Sequence, residues 1–332
     1  MGGGESAGVA RTAAWVAGTT GGLGSRTAEA MVDGRGGMEV GELFGIAFDR
    51  DADERRRLEY QFELLREDFD LWFDAALRLG GLDVDAARAG WSVLDAGCGE
   101  GLFTEEIARR YPDARICGFD VDAKAVAIAG QRCAQLPNVR LFVHDVREPI
   151  PDGVPGAGGF DVAVMWLVLP YLPDRQSALA NLAATLRPGG TMLLGTVPDE
   201  ALRIDHPAGA DLMAAARQLA QRMGLGGLRD SLAPMLSEVG LEAVTTQELR
   251  YPIGGATSRG HRWYRYMLTS MSTAKPVIVN TLGLMDEKEY DRRFDQVVAE
   301  SVLTLSGDVR FLVTLARRAV NSRREKHPGQ VV

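Results

Sequence analysis

The chain has 332 residues, 46% of them hydrophobic, and a formal net charge of −8 from 45 acidic and 37 basic side chains. That is enough apolar material for a sizeable core in one large domain with attachments or in two domains, while the acid excess argues against a broad nucleic-acid surface. No apolar run reaches the roughly twenty residues of a membrane span and the start lacks the pattern of a secretory signal, so a soluble, cytoplasmic protein that uses neither nucleic acid nor membrane is expected.

Residues 1–37 are rich in Gly, Ala, Ser and Thr and are expected to stay mobile, because they bury too little to offset the entropy of ordering. Gly18, Gly22 and Gly24 match the glycine spacing of short-chain reductases, but nothing after them supplies the remaining strands. Chance likeness in a glycine-rich segment is the expectation. Residues 38–90 read as a helical cap. Within it Leu58, Phe62, Leu65, Phe69, Trp72, Ala76 and Leu79 recur at alternating four and three spacings, which predicts one long helix over 54–79. Arg55, Arg56 and Arg57 are assigned to its solvated faces, and Gly80 with Gly81 ends it. The aromatic stripe reads as core, or, around Tyr60, as a lid.

Val93 to Gly101 reads V-L-D-A-G-C-G-E-G: an apolar strand, an acid at its end, then glycines at 97, 99 and 101 leading into a helical pattern. Glycines at such a turn let a ligand approach the backbone, and the following helix start presents N–H groups to it. Asp120 closes a second strand and Asp145 a third, with the second acid about twenty residues beyond the glycines, where a ribose is met. Leu102 stands where a dinucleotide fingerprint wants glycine, and Asp95 would repel a pyrophosphate. The pattern suits an adenosine with a cationic tail. Solvated loop acids or helix caps are the alternative for the three aspartates.

Strands are predicted near 92–95, 115–119, 139–144, 160–166 and 190–197, and helices near 102–110, 122–134, 174–186 and 229–239. This alternation implies a parallel sheet with helices on both faces. A sixth strand is read at Leu241–Leu249 and a seventh at Val309–Ala316, separated by an amphipathic, helical insertion at 251–307. Residues 308–332 carry the last strand and a basic tail. The cysteines at 98, 117 and 133 lack metal-ligand spacing and are expected as small buried hydrophobes in a reducing compartment, with no metal.

The segment from Trp91 to Thr196 resembles the core of class I S-adenosylmethionine-dependent methyltransferases. The resemblance rests on V-L-D-A-G-C-G-E-G at 93–101, Asp120 in G-F-D-V-D, Asp145 in H-D-V, F-D-V-A-V-M at 160–165 and L-R-P-G-G-T-M-L-L at 186–194. It implies an α/β, Rossmann-like, seven-stranded and mostly parallel sheet with helices on both faces. The helical N-terminal extension and the insertion before the last strand are added to that core.

It also implies S-adenosylmethionine as cofactor. Gly97 and Gly99 would give room to its methionyl portion, and Asp95 would hold its ammonium directly or through water. Asp120 would bind both ribose hydroxyls, and Val121 would cover the adenine. Asp145 and Val146 would take the adenine edge, and Trp166 would lie near the sulfonium or serve as packing.

Methyl transfer needs alignment and dryness more than a fixed catalytic group. His206 (with Asp205), His261 and Tyr171 are the candidates for a base or a substrate-facing group, and His144 reads as structural. Aromatic and methionine side chains in the insertion suit a small apolar or aromatic acceptor. The insertion reads as a lid over that acceptor, or as a dimerisation arm. The expected function is O-, N- or C-methylation of a metabolite of bacterial secondary metabolism. The alternative is a cofactor-binding cyclase or isomerase on the same fold.

Overall fold

A computed structural model describes residues 52–82, 90–151, 154, 159–198, 200–222 and 227–320. The expectations for residues 1–37, the glycines at 18–24 and the chain beyond 320 lie outside the described residues.

The first helix, α1, runs Ala52–Leu79. Its buried stripe is broader than the sequence suggests: Leu64, Leu65, Phe69, Phe73, Ala76 and Leu77 are buried. Gly81 adopts φ 75°, Gly81 N–H donates to Arg78 and Leu82 N–H to Leu77, so the left-handed glycine closes the helix as expected. The core elements follow as β1 (Ser92–Ala96), α2 (Leu102–Arg110), β2 (Arg115–Asp120), α3 (Ala123–Arg132), β3 (Val139–Val143), β4 (Phe160–Trp166), a short 3-10 turn at Leu169–Tyr171, α4 (Arg175–Thr185) and β5 (Leu186–Thr196).

β1 lies at the centre of the parallel part, with β2 and then β3 on one side and β4 and then β5 on the other. The last strand, β8 (Ser306–Arg318), runs antiparallel between β5 and β7 (Leu241–Gly254). A short strand, β6 (Leu202–Ile204), pairs with the start of β8 at Gly307–Val309. Among the described residues the sheet has eight strands where seven were expected, because the segment after β5 adds β6 along β8.

Alternation along the strands divides the core between the two sheet faces. Val162, Val164 and Trp166 face the cluster formed with α1 and α2, while Ala163 and Met165 face the cluster under α4 and α6 (Leu228–Glu238). A third cluster builds a cap from α5 (Pro207–Arg222), α7 (Ser258–Pro276), a π-turn (Val277–Thr281) and α8 (Glu287–Ala299), packed on the outer halves of β7 and β8. The insertion is helical as read, and its large apolar groups Trp263, Met267, Tyr290 and Phe294 are buried inside the chain's own core. Helix α5 and strand β6 are absent from the elements expected from the sequence.

Candidate active site

The turn after β1 is fixed by two backbone bonds: Gly97 N–H and Cys98 N–H both donate to Phe119 O, at 2.8 and 2.9 Å. Gly97, Gly99 and Gly101 have φ of 75°, 55° and 80°, a region that glycine enters without the Cβ penalty. Two of them also serve internal packing. A Cβ on Gly97 would lie 2.3 Å from Val168 Cγ2, and one on Gly101 would lie 2.9 Å from Ala129 Cβ. The Cβ direction at Gly97 is thus filled by Val168, so the segment after β4 itself requires glycine there.

Asp95, Asp120 and Asp145 come at or just beyond the ends of three neighbouring strands. Asp95 is buried, and Thr104 Oγ1 on α2 donates to it at 2.5 Å. Burial pushes its carboxyl up to about 6; the Thr104 bond opposes this and the nearby Asp120 charge adds to it. Asp120 accepts Gly99 N–H and Asp122 N–H on separate oxygens, each at 2.9 Å. Each carboxylate oxygen has two acceptor positions, so one on each is left for a diol. Val121, beside it, is 67% exposed. Asp145 is held by Arg147 through the backbone N–H and the guanidinium, which keeps its carboxyl below the ordinary range. Val146 is buried, and Asn181 Nδ2 donates to its carbonyl.

Trp166 is the last residue of β4 and is buried between Phe69 and Phe103, over Gly195. Its indole forms part of the α1–sheet core, and that packing accounts for its position. His206 accepts Gly209 N–H at the start of α5, and Asp205 turns instead to Arg203 and Ser306. His261 Nε2 meets Gly255 O at 2.7 Å, tying α7 to the end of β7. Neither histidine is among the residues lining the cavity described next. His144 packs against Phe119 and Phe142, the structural role expected.

Tyr171 is the catalytic candidate that reaches open space. A cavity of about 460 Å³ lies between the segments following β4 and β5 and the cap helices α5 and α7; Tyr171, Val197, Met213, Met271 and Tyr290 are among its lining residues. Burial pushes the Tyr171 hydroxyl up to about 12, against the pull of Arg57, so it is a donor at neutral pH.

Behind Tyr171 is a polar group that the sequence reading missed. Arg57 is 9% exposed and forms a two-pronged pair with Glu54, at 2.7 Å for each bond. Arg57 Nη1 and Gln61 Nε2 both donate to Tyr266 OH on α7, at 3.2 and 2.6 Å. The helix spacing held the signal: Arg57 precedes Leu64 and Leu65 by seven and eight positions, so it shares their buried face. Tyr60, the residue proposed for a lid, donates to Arg262 O at 3.0 Å and so joins α1 to α7.

The two halves of the site are joined by one segment. Leu167 adopts φ 59° and its N–H donates to Gly195 O at 2.7 Å. The chain then sets Val168 against Gly97 and Tyr171 into the cavity.

Residues 93–190 match the model of a methyltransferase domain family. A trans-aconitate 2-methyltransferase of Deinococcus radiodurans is 34% identical over 132 residues, which is 40% of this chain and 46% of that one. A second protein of that name, from Variovorax paradoxus, is 30% identical over 223 residues, 64% of this chain and 79% of that one. The chain belongs to the class I S-adenosylmethionine-dependent methyltransferases. The first curated relatives are matched over about half their length or less: 46% for the Deinococcus protein and 50% for a ubiquinone biosynthesis O-methyltransferase of Aromatoleum aromaticum. Among solved structures, the [4+2]-cyclase SpnF has a TM-score of 0.47 at 20% identity, over 76% of this chain and 82% of that one.

The strand ends of this methyltransferase core fit the family's cofactor. A diol would find two open acceptor positions on Asp120, and an ammonium would be matched in charge by the Asp95 carboxylate. The exposed Val121 offers an apolar face for a base. The three cysteines are buried with their thiols pushed up by burial, which makes them inert packing. Among the described residues, no helix is long and apolar enough to cross a membrane.

Proposed function

We propose that this chain transfers a methyl group from S-adenosylmethionine to a small, largely apolar acceptor held in the cavity under α5 and α7. The observation that carries this reading is the Leu167–Tyr171 segment, which packs on the glycine turn at one end and opens into the cavity at the other. Asp120 would accept both ribose hydroxyls, Val121 would cover the adenine, Asp145 and Val146 would meet its edge, and Asp95 would hold the ammonium. When bound, the cofactor supplies a methyl group on a cationic sulfur, activated for in-line displacement. The chain's own part is alignment and exclusion of water. Tyr171 would donate a hydrogen bond to the acceptor, and the Glu54–Arg57–Tyr266 group would hold that phenol in place as a positioning network.

The acceptor's atom, oxygen, nitrogen or carbon, is left to chemistry the acceptor itself brings. Relatives named for trans-aconitate, ubiquinone biosynthesis and malonyl-acyl-carrier protein support a metabolite rather than a polymer. The high glycine content of the chain is in keeping with a methyltransferase of secondary metabolism. Incubation with methyl-labelled cofactor and metabolite extracts tests the proposal. Label should enter a small product while S-adenosylhomocysteine accumulates. Cofactor that binds but stays intact while another product forms would overturn methyl transfer and favour a cyclase or isomerase.

A further inference from the structure

We infer that the acceptor is an amphipathic organic acid, its apolar body seated in the cavity and its carboxylate held by Arg217 at the cavity mouth; this rests on the methyl-transfer reading above. The first observation is a polarity gradient along one helix. Met213, Arg217 and Gln221 all line the cavity from α5. They follow at four-residue steps, about 6 Å of helix rise each. Met213 is buried, whereas Arg217 and Gln221 are exposed.

The second observation is charge. Arg217 is the one charged side chain lining the cavity among the described residues. It forms no ion pair there, whereas Arg293 is paired with Asp211 on the same helix as Arg217. At the rim of an apolar cavity, a guanidinium without an acid beside it is the group an anionic ligand would meet. A guanidinium offers two parallel donors to a carboxylate, and Gln221 adds an amide donor beside it.

The third observation lies in the opposite wall. Ser270 Oγ on α7 is buried without a hydrogen-bond partner and also belongs to the lining. A buried hydroxyl without a partner costs about 1–3 kcal/mol, and a polar atom along the ligand's body would relieve it. Tyr290 is not available for that purpose, since its hydroxyl donates to Met271 O at 2.6 Å. The lining therefore selects an apolar body with one internal polar atom and a terminal negative charge, and selects against an amine.

The test uses the full chain, first titrated with S-adenosylhomocysteine by calorimetry and then, with it saturating, with decanoate, decanol and decylamine. Decanoate should bind at least tenfold more tightly than the other two, and its affinity should fall as salt rises. Arg217→Gln should abolish the preference for decanoate and leave decanol binding unchanged, while Arg217→Lys keeps part of it. Arg217 is exposed, so these variants are expected to fold, and circular dichroism checks this. If S-adenosylhomocysteine binds and decanoate shows no advantage, or keeps it in Arg217→Gln, the inference is overturned. If S-adenosylhomocysteine does not bind, the cofactor reading fails, and the same probes titrated alone still decide the role of Arg217.

Discussion

Burial at the end of β1 holds the Asp95 carboxyl near 6, so its ionisation is opposed by the fold itself. The sign is that of a raised acid. Its favourable contribution to stability is complete below the ordinary carboxyl range and is lost as pH rises through about 6. A bound ammonium reverses the preference by favouring the carboxylate. Cofactor affinity should therefore be flat above pH 7 and weaken as pH falls through about 6. Calorimetry across that range checks this, and Asp95→Asn should remove the pH dependence. Asp120 presents a different case, since its carboxylate is already oriented by Gly99 and Asp122 N–H groups. Two charge-assisted bonds to a diol are worth roughly 1.5–3 kcal/mol each. Asp120→Ala should lower cofactor affinity by about a hundredfold or more with the circular dichroism spectrum retained. Unchanged affinity in that variant would remove the ribose role.

The contact of Gly97 with Val168 ties the first βα turn to the segment after β4. Gly97→Ala places a methyl group where Val168 Cγ2 already lies, at a φ of 75° that alanine disfavours. The backbone contribution alone is about 1–2 kcal/mol, and the clash adds to it. The substitution should lower the urea midpoint. Combining it with Val168→Ala should restore a part, because the steric component disappears and the backbone component stays. If the double variant is no more stable than additivity predicts, the two segments are not coupled in this way. The cap shows the same dependence on neighbours. Trp263 on α7 is fully buried and stacks on Tyr251 of β7, with ring centroids 4.5 Å apart. Trp263→Ala should cost about 3–5 kcal/mol. The loss should appear first as faster hydrogen exchange in α7 and α8.

Across the whole molecule, Asp308 ties together three strands at one end of the sheet. It lies in β8 opposite both β6 and β7, and it is bonded by Arg203, Arg250 and Arg310. Burial opposes its ionisation, but the three guanidinium groups outweigh it and hold the carboxyl down to about 2. Stability from this group is present above the ordinary carboxyl range and is lost as pH falls from about 4 toward 2. Arg203 and Arg250 are half-exposed, so solvent screening reduces the contribution to about 1 kcal/mol. Asp308→Asn should be less stable than the parent at pH 6, and the gap should narrow as pH falls toward 2 in thermal melts.

Much of this architecture was legible in the sequence. Strand-end acids at 95, 120 and 145, the glycines between β1 and α2, and the capping glycine at 81 are local signals. Backbone geometry, side-chain alternation and turn chemistry act within a few residues and do not depend on what packs against them. Helix α5 escaped because its Pro-Ala-Gly-Ala start looks like a loop. Its identity as a cap helix comes from α8 and the π-turn, which are far away in the chain. The same reason explains the site. Nothing near His206 or His261 tells that their rings are turned to backbone groups, and nothing near Val168 tells that it fills Gly97. Sequence alone determined the fold family and the placing of the acids at the strand ends, because these are carried by short-range periodicity. Only the tertiary structure decided which polar groups meet, since Tyr171 and Arg217 at the cavity, and Arg57 and Tyr266 in the buried group, come from separate elements brought together by burial of the apolar faces beside them.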